Sequence, residues 1–155
     1  MAGVGPTAEI HDLVHRRRHE SGIRYTGGRR AVVTTIQMAT GPRTAAELAN
    51  AATGDLPVSS LYRSLAIFGE TGILKKHHGS DGIARYELAE WLTGHHHHVV
   101  CVACGAIEDI DVPDAAERAL HDIASSLGAQ AGFRVLDHVL ELEGVCLGCE
   151  VTGDG

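Results

Sequence analysis

Apolar positions recur at helical spacing through the first half of the chain. Between Thr7 and Glu20, Ile10, Leu13 and Val14 form one stripe, and His11, His15 and His19 fall four apart on another. Beside Arg16, Arg17 and Arg18 that second face is expected to be a solvated polar stripe, with metal chelation by the trio as the alternative. Thr26-Gly27-Gly28-Arg29-Arg30 leads into a helix carrying Val32, Val33 and Ile36, which Gly41-Pro42 ends. Thr44 and Glu47 form a capping box for a short helix running to about Ala52. After a turn on Gly54, Asp55 and Pro57, a further helix starts at Ser59 or Ser60 as N-cap and buries Leu61, Leu65 and Phe68. Two short helices joined by a tight turn, the second presenting Ser60, Tyr62, Arg63 and Ser64, make a helix-turn-helix pattern.

Two short strand signals follow. Ile73 to Lys76 and Ala84 to Leu88 flank Gly79-Ser80-Asp81-Gly82, which predicts a hairpin. A hairpin directly after a recognition helix is a wing, so residues 1–89 predict a winged-helix DNA-binding domain. Beyond Trp91 to Gly94 the pattern changes. Strands are expected over His98–Val102 and Ala106–Ile110, and a helix capped at Asp111 to Asp114 runs to about Leu127. Arg134 to Leu142 alternates as a strand with one buried face, and Glu150 to Gly155 reads as a loose tail. Residues 90–155 therefore predict a second, small α/β domain, and the fold class is α+β.

Composition sharpens this division. With 155 residues, 21% charged and 44% hydrophobic, the chain is expected to fold. No apolar run reaches the ~20 residues of a membrane span. The N-terminal segment lacks a signal-peptide core, so no membrane partner and a cytoplasmic location are expected. The net charge of −7 argues against nucleic acid only if it is spread evenly. It is not: residues 1–90 carry 11 basic against 9 acidic side chains, and residues 91–155 carry 2 against 11. A net +2 half and a net −9 half are expected to meet different partners.

The acidic half also concentrates metal ligands. Cys101-Val102-Ala103-Cys104 and Cys146-Leu147-Gly148-Cys149 are CxxC knuckles 41 residues apart, a pattern suited to tetrahedral structural Zn²⁺. Disulfides are the poorer reading in a reducing compartment. His95 to His98 lie just before the first knuckle. In an extended segment His96 and His98 serve one face, and His95 and His97 the other. Nitrogen and oxygen ligands exchange more readily than four thiolates, as a sensor requires.

With SSLYRSLAIFGETGIL, ARYEL and HHHHVVCVACG in place, the chain resembles the Fur family of metal-responsive transcriptional repressors from Tyr25 to Cys149. The resemblance implies a winged helix joined by a hinge to an α/β dimerisation domain. It implies that Tyr62, Arg63 and Ser60 read DNA, with Arg29 or Arg30 on phosphate. The four Cys match the family's structural zinc site. Glu87, His96 and His98 match a regulatory site, with His77 or His78 on the wing as added candidates. His95, His97 and His138 match a further site, for which Glu117 is the nearest acidic partner although one residue late. Two departures stand out: Pro42-Arg43 replaces an expected His, and Ala89 replaces the hinge Cys of zinc-sensing members.

The function implied is a homodimeric, metal-dependent repressor on a palindromic double-stranded operator, controlling metal homeostasis genes. Metal bridges the domains and sets the spacing of two recognition helices. Zinc stands slightly ahead of iron as the sensed metal, with manganese and nickel behind. The alternative is a zinc buffer or chaperone without sequence-specific DNA binding. An enzyme is not expected, because neither HExxH nor HxE ahead of PCxxC is present.

Overall fold

The computed structural model describes residues 7–54 and 56–151, without the side chains of residues 7 and 18–21. Asp55 and the tail residues 152–155 lie outside the described residues. In chain order the elements are α1 (Thr7–Ser21), α2 (Gly27–Gln37), β1 (Arg43–Thr44), α3 (Ala45–Ala51), α4 (Val58–Glu70), β2 (Leu74–His78) and β3 (Ala84–Leu88). Then come α5 (Glu90–Thr93), β4 (His97–Cys101), β5 (Ile107–Ile110), α6 (Asp114–Gln130), β6 (Glu141–Gly144) and α7 (Leu147–Glu150). None of these helices is long and apolar enough to cross a membrane.

Local chemistry accounts for the first group. Thr26 caps α2 by accepting from Arg29 N, and Thr44 and Glu47 close the reciprocal capping box of α3. Ile10 and Val14 of α1, Val32, Val33 and Ile36 of α2, Leu48 of α3, and Leu61, Leu65 and Phe68 of α4 meet in one core. Ile73, Leu74, Leu88 and Leu92 complete it, so the hairpin and α5 are packed onto the helices. The hairpin β2–β3 is antiparallel, with β1 added on the far edge of β3. Helix, helix-turn-helix and wing thus form a winged helix, with α4 as the second helix of the helix-turn-helix.

The second sheet has the order β5-β4-β6, with β4 antiparallel to β5 and parallel to β6. Its monomeric core is thin. Val100, Cys101 and Ile107 are buried, whereas α6 buries none of its residues. Ile123, Leu127, Phe133, Leu136 and Val139 remain exposed. The fold is α+β, a winged helix followed by a small α/β domain with apolar surface held outward.

Three local expectations are corrected. Helix α4 starts at Val58 after Pro57, ahead of Ser59 and Ser60, because Pro57 O accepts from Ser60 N and Leu61 N. The strand expected over 134–142 forms only from Glu141, since Leu140 N–H is taken by His97 Nδ1 instead of a neighbouring strand. His11 is buried, not solvated: its ring bonds the Tyr25 hydroxyl and Thr34 Oγ1, tying α1 to α2. His15 is exposed, and the side chain of His19 lies outside the described residues.

The wing and the knuckle touch. Ser80 Oγ donates to Cys101 O at 3.0 Å and Val102 O at 3.1 Å, and Arg85 reaches Cys104 O at 3.4 Å. Gly79 and Gly105 permit this approach: a Cβ on Gly79 would lie 2.4 Å from Gly105 O, and one on Gly105 2.5 Å from the Asp81 carboxylate carbon. Asp81 itself grips Arg85 through both oxygens at 2.9 Å. That grip holds the Asp81 pKa down to about 2.

Candidate metal centre and nucleic-acid interface

The period of β4 sorts the histidine run. His96, in the segment leading into the strand, and His98 face β3, where Glu87 projects from the wing's second strand. Glu87 Oε2 accepts from His96 Nε2 and His98 Nε2, each at 3.0 Å, and Oε1 accepts from His77 Nε2 at 2.5 Å. Asp109 completes the group, its Oδ1 lying 3.4 Å from His98 Nε2. Burial pushes the Glu87 carboxyl up, but the bonds from His77, His96 and His98 outweigh it and hold the carboxyl far below the usual range. Burial likewise lowers the His98 pKa, yet Asp109 and Glu87 raise it to about 9. The Glu87 hydrogen bond also raises His96.

This donor set fits a divalent cation. One ligand atom from each of Glu87, His96, His98 and Asp109 lies within 4.8 Å of the others. His96 Nδ1–H donates to Gly94 O at 3.0 Å, so once the Nε2 proton held against Glu87 is lost, the ring keeps the tautomer whose Nε2 can ligate. Asp109 is a member that residue reading missed. The signal was the strand register: the tight knuckle pairs His98 with Asp109 across β4 and β5. His77 touches the group through Glu87, whereas His78 is exposed and belongs to none of the clusters among the described residues. Lys75 turns the other way, to Glu90 at 3.4 Å.

On the opposite side, His95 and His97 meet Glu117 of α6 and His138. Glu117 Oε2 accepts from His97 Nε2 at 2.9 Å, and Oε1 lies 3.0 Å from His138 Nε2 and 3.5 Å from His95 Nε2. Hydrogen bonding from His97 lowers the Glu117 pKa. Despite the approach of Glu117 Oε1, the buried His95 Nε2 and His138 Nε2 make no hydrogen bond of proper geometry, as ligand atoms awaiting a cation would. His97 fits less well. Its Nδ1 accepts from Leu140 N at 3.3 Å, so Nε2 keeps the proton, and a cation here has to displace it.

The four Cys also converge, again within 4.8 Å. Cys104 Sγ and Cys146 Sγ are 3.9 Å apart. That matches the edge of about 3.8 Å in a tetrahedron of thiolates ~2.3 Å from zinc. Backbone N–H groups, first that of Cys146, lower the Cys101 thiol to about 6, while hydrogen bonds with Cys146 and Cys104 raise Cys149 to about 12. One thiolate forms early and the last proton is hard to remove, so binding a cation displaces protons.

Far from these groups, α4 offers Tyr62, 53% exposed, and Arg63, whose Nε donates to Ser59 O at 3.1 Å. Ser60 and Arg63 line a groove with Arg29 in the first turn of α2 and Arg24 in the segment before it. Arg24 was not singled out by residue reading. Arg30 lies 5.6 Å over the Tyr25 ring, a cation–π contact that draws it from the groove.

A winged helix joined to a ligand-rich second domain by a shared His–carboxylate cluster defines a narrow class of proteins. Residues 20–143 match the model of the ferric uptake regulator family, and the chain belongs to that family. It is 37% identical over 99 residues to the ferric uptake regulation protein of Neisseria meningitidis, a match covering 64% of each chain, just under two thirds of the relative's length. It is 30% identical over 153 residues to the peroxide-responsive repressor of Staphylococcus aureus, covering 93% of this chain and 98% of the relative. Among solved structures, a zinc-bound manganese uptake regulator superposes with a TM-score of 0.67 at 26% identity, over 90% of this chain and 99% of that one.

Proposed function

We propose that this protein is a metal-responsive, DNA-binding transcriptional repressor acting as a homodimer. The observation that carries the reading is the position of the Glu87 cluster. Glu87 belongs to the wing of the reading domain, while His96, His98 and Asp109 belong to the segment before β4 and to the second sheet. Glu87, His96, His98 and Asp109 would hold a divalent cation across the seam, with His77 positioned behind Glu87. Such a cation supplies positive charge between groups of both domains. The gain is conformational: affinity for the closed arrangement favours one spacing of the recognition helices.

Tyr62, Arg63 and Ser60 are assigned to base and backbone contacts, and Arg29 and Arg24 to phosphate. Arg30 has a smaller part because of its contact with Tyr25. The bare apolar face of α6 supports the homodimer, since an isolated chain leaves Ile123 and Leu127 in water. Cys101, Cys104, Cys146 and Cys149 are assigned to structural zinc. His95, His97, Glu117 and His138 form a weaker further site, because His97 must surrender a proton. Zinc is favoured slightly over iron as the sensed metal, because a set of two imidazoles and two carboxylates binds Zn²⁺ more tightly than Fe²⁺ in the general affinity order of divalent ions.

The test is selection of binders from random-sequence DNA duplexes, run with Zn²⁺, with Fe²⁺ and with chelator. A palindromic sequence enriched only with metal is expected. Equal enrichment under chelation would overturn the switch, and no enrichment under any condition would favour the metal-buffer alternative.

A further inference from the structure

We propose that Arg43 and Glu108 form the positioning pair through which the Glu87 cluster is felt by the helix-turn-helix. The inference rests on the proposed metal-dependent DNA binding and adds the route by which the two are connected. Arg43 lies on β1, opposite Tyr86 and next to the strand position of Glu87. Its guanidinium spans the seam: NH2 donates to Glu108 Oε1 at 2.9 Å and Oε2 at 3.0 Å, and NH1 to Ile107 O at 3.1 Å. Thr40 seals the contact, donating from Oγ1 to Glu108 Oε2 at 2.7 Å while its carbonyl accepts from Asp109 N at 3.0 Å. Gly41 lets the backbones meet, since a Cβ there would lie 2.7 Å from Ile107 O.

The two ends of this arrangement are adjacent residues. On β5, Asp109 belongs to the metal-ligand group, and Glu108 beside it points to the opposite side and holds Arg43. On the other side, Arg43 precedes Thr44, the N-cap that closes the capping box of α3. A shift of β5 that brings Asp109 onto a cation therefore moves Glu108, and with it the start of the helix-turn-helix. A forked, doubly bonded guanidinium transmits such a shift better than a point charge. Arg43 also stands where the family resemblance leads one to expect a histidine, so here an ion pair within the chain occupies a place at the seam.

The experiment is a double-mutant cycle on Arg43→Ala, Glu108→Ala and the double variant. Both side chains are partly exposed, at 21% and 46%, and lie outside the core, so truncation opens no core cavity, and circular dichroism checks the fold of each variant first. Each is titrated with Zn²⁺ alone, then tested for affinity to the selected duplex with and without Zn²⁺. Zinc uptake is expected within about twofold of the parent, while the metal-induced gain in DNA affinity falls about tenfold in each single variant. The double variant is expected to lose no more than either single one. A full gain in either single variant overturns the inference, as do losses that multiply in the double. Lost zinc uptake also overturns it, because Arg43 would then be shaping the ligand group itself. If the parent chain shows no gain with metal, the underlying functional reading fails first and this inference falls with it.

Discussion

His98 and Glu87 face each other at 3.0 Å although one belongs to the second sheet and the other to the wing. Their pairing places a buried carboxylate where three imidazoles can share it, and that carboxylate is the natural point of attack. Glu87→Gln keeps the shape and removes the charge. The expected result is a loss of about 10- to 100-fold in Zn²⁺ affinity at this site with the cysteine-bound zinc retained. Competition titration against a chromophoric chelator reads both; unchanged affinity at the weaker site would contradict the assignment.

Acidity around the same pair gives a second expectation. An unfolded imidazole titrates near ~6.5, whereas His98 in the fold does so at about 9. The stabilisation from its proton is therefore complete below about 6.5 and disappears as pH rises through about 9. Metal-stripped protein should lose on the order of 5 °C in melting temperature between about pH 7 and 10. His98→Gln should flatten that slope. A metal-stripped parent that melts identically across the window rules the effect out.

Removing a thiolate should be harsher. Cys101→Ser is expected to cost one equivalent of tightly bound zinc and at least about 10 °C of melting temperature. Elemental analysis with circular dichroism decides, and an unaltered zinc content would refute the structural assignment.

On the reading surface, Arg63→Ala should weaken binding to the selected duplex by about 10- to 100-fold and leave zinc content unchanged. Fluorescence anisotropy across a salt series measures it. An effect under twofold would move the interface off α4.

Stability also depends on the buried histidine of α1. His11→Ala strands the Tyr25 hydroxyl and Thr34 Oγ1 and should cost about 1–3 kcal/mol by urea unfolding. Burial lowers the His11 pKa, as expected of a ring held neutral in the fold. His15→Ala, on the exposed face, should stay within about 0.5 kcal/mol. Equal costs for the two would deny His11 its anchoring role.

Much of the site was legible in the residues because strand periodicity is local. Alternation alone separated His96 and His98 from His95 and His97, and CxxC spacing alone grouped the thiols. What escaped depended on partners distant in sequence. Asp109 needed the β4–β5 register, Arg43 needed a contact 65 residues away, and the bonds of His11 reach residues 14 and 23 positions on. The expected strand from Arg134 failed for a related reason. Its alternation could not reveal that a side chain, His97, would claim the Leu140 N–H. Nor did alternation there mark a buried face, since Leu136 and Val139 are both 79% exposed.

The seat of the wing on the knuckle carries one more consequence. Ser80 and Arg85 rest on carbonyls of Cys101, Val102 and Cys104, in the loop that carries the first pair of sulfurs. All four cysteines lie in the second domain, and the reading domain has none. A change at the four sulfurs is therefore expected to reach the wing of a domain that itself contains no cysteine.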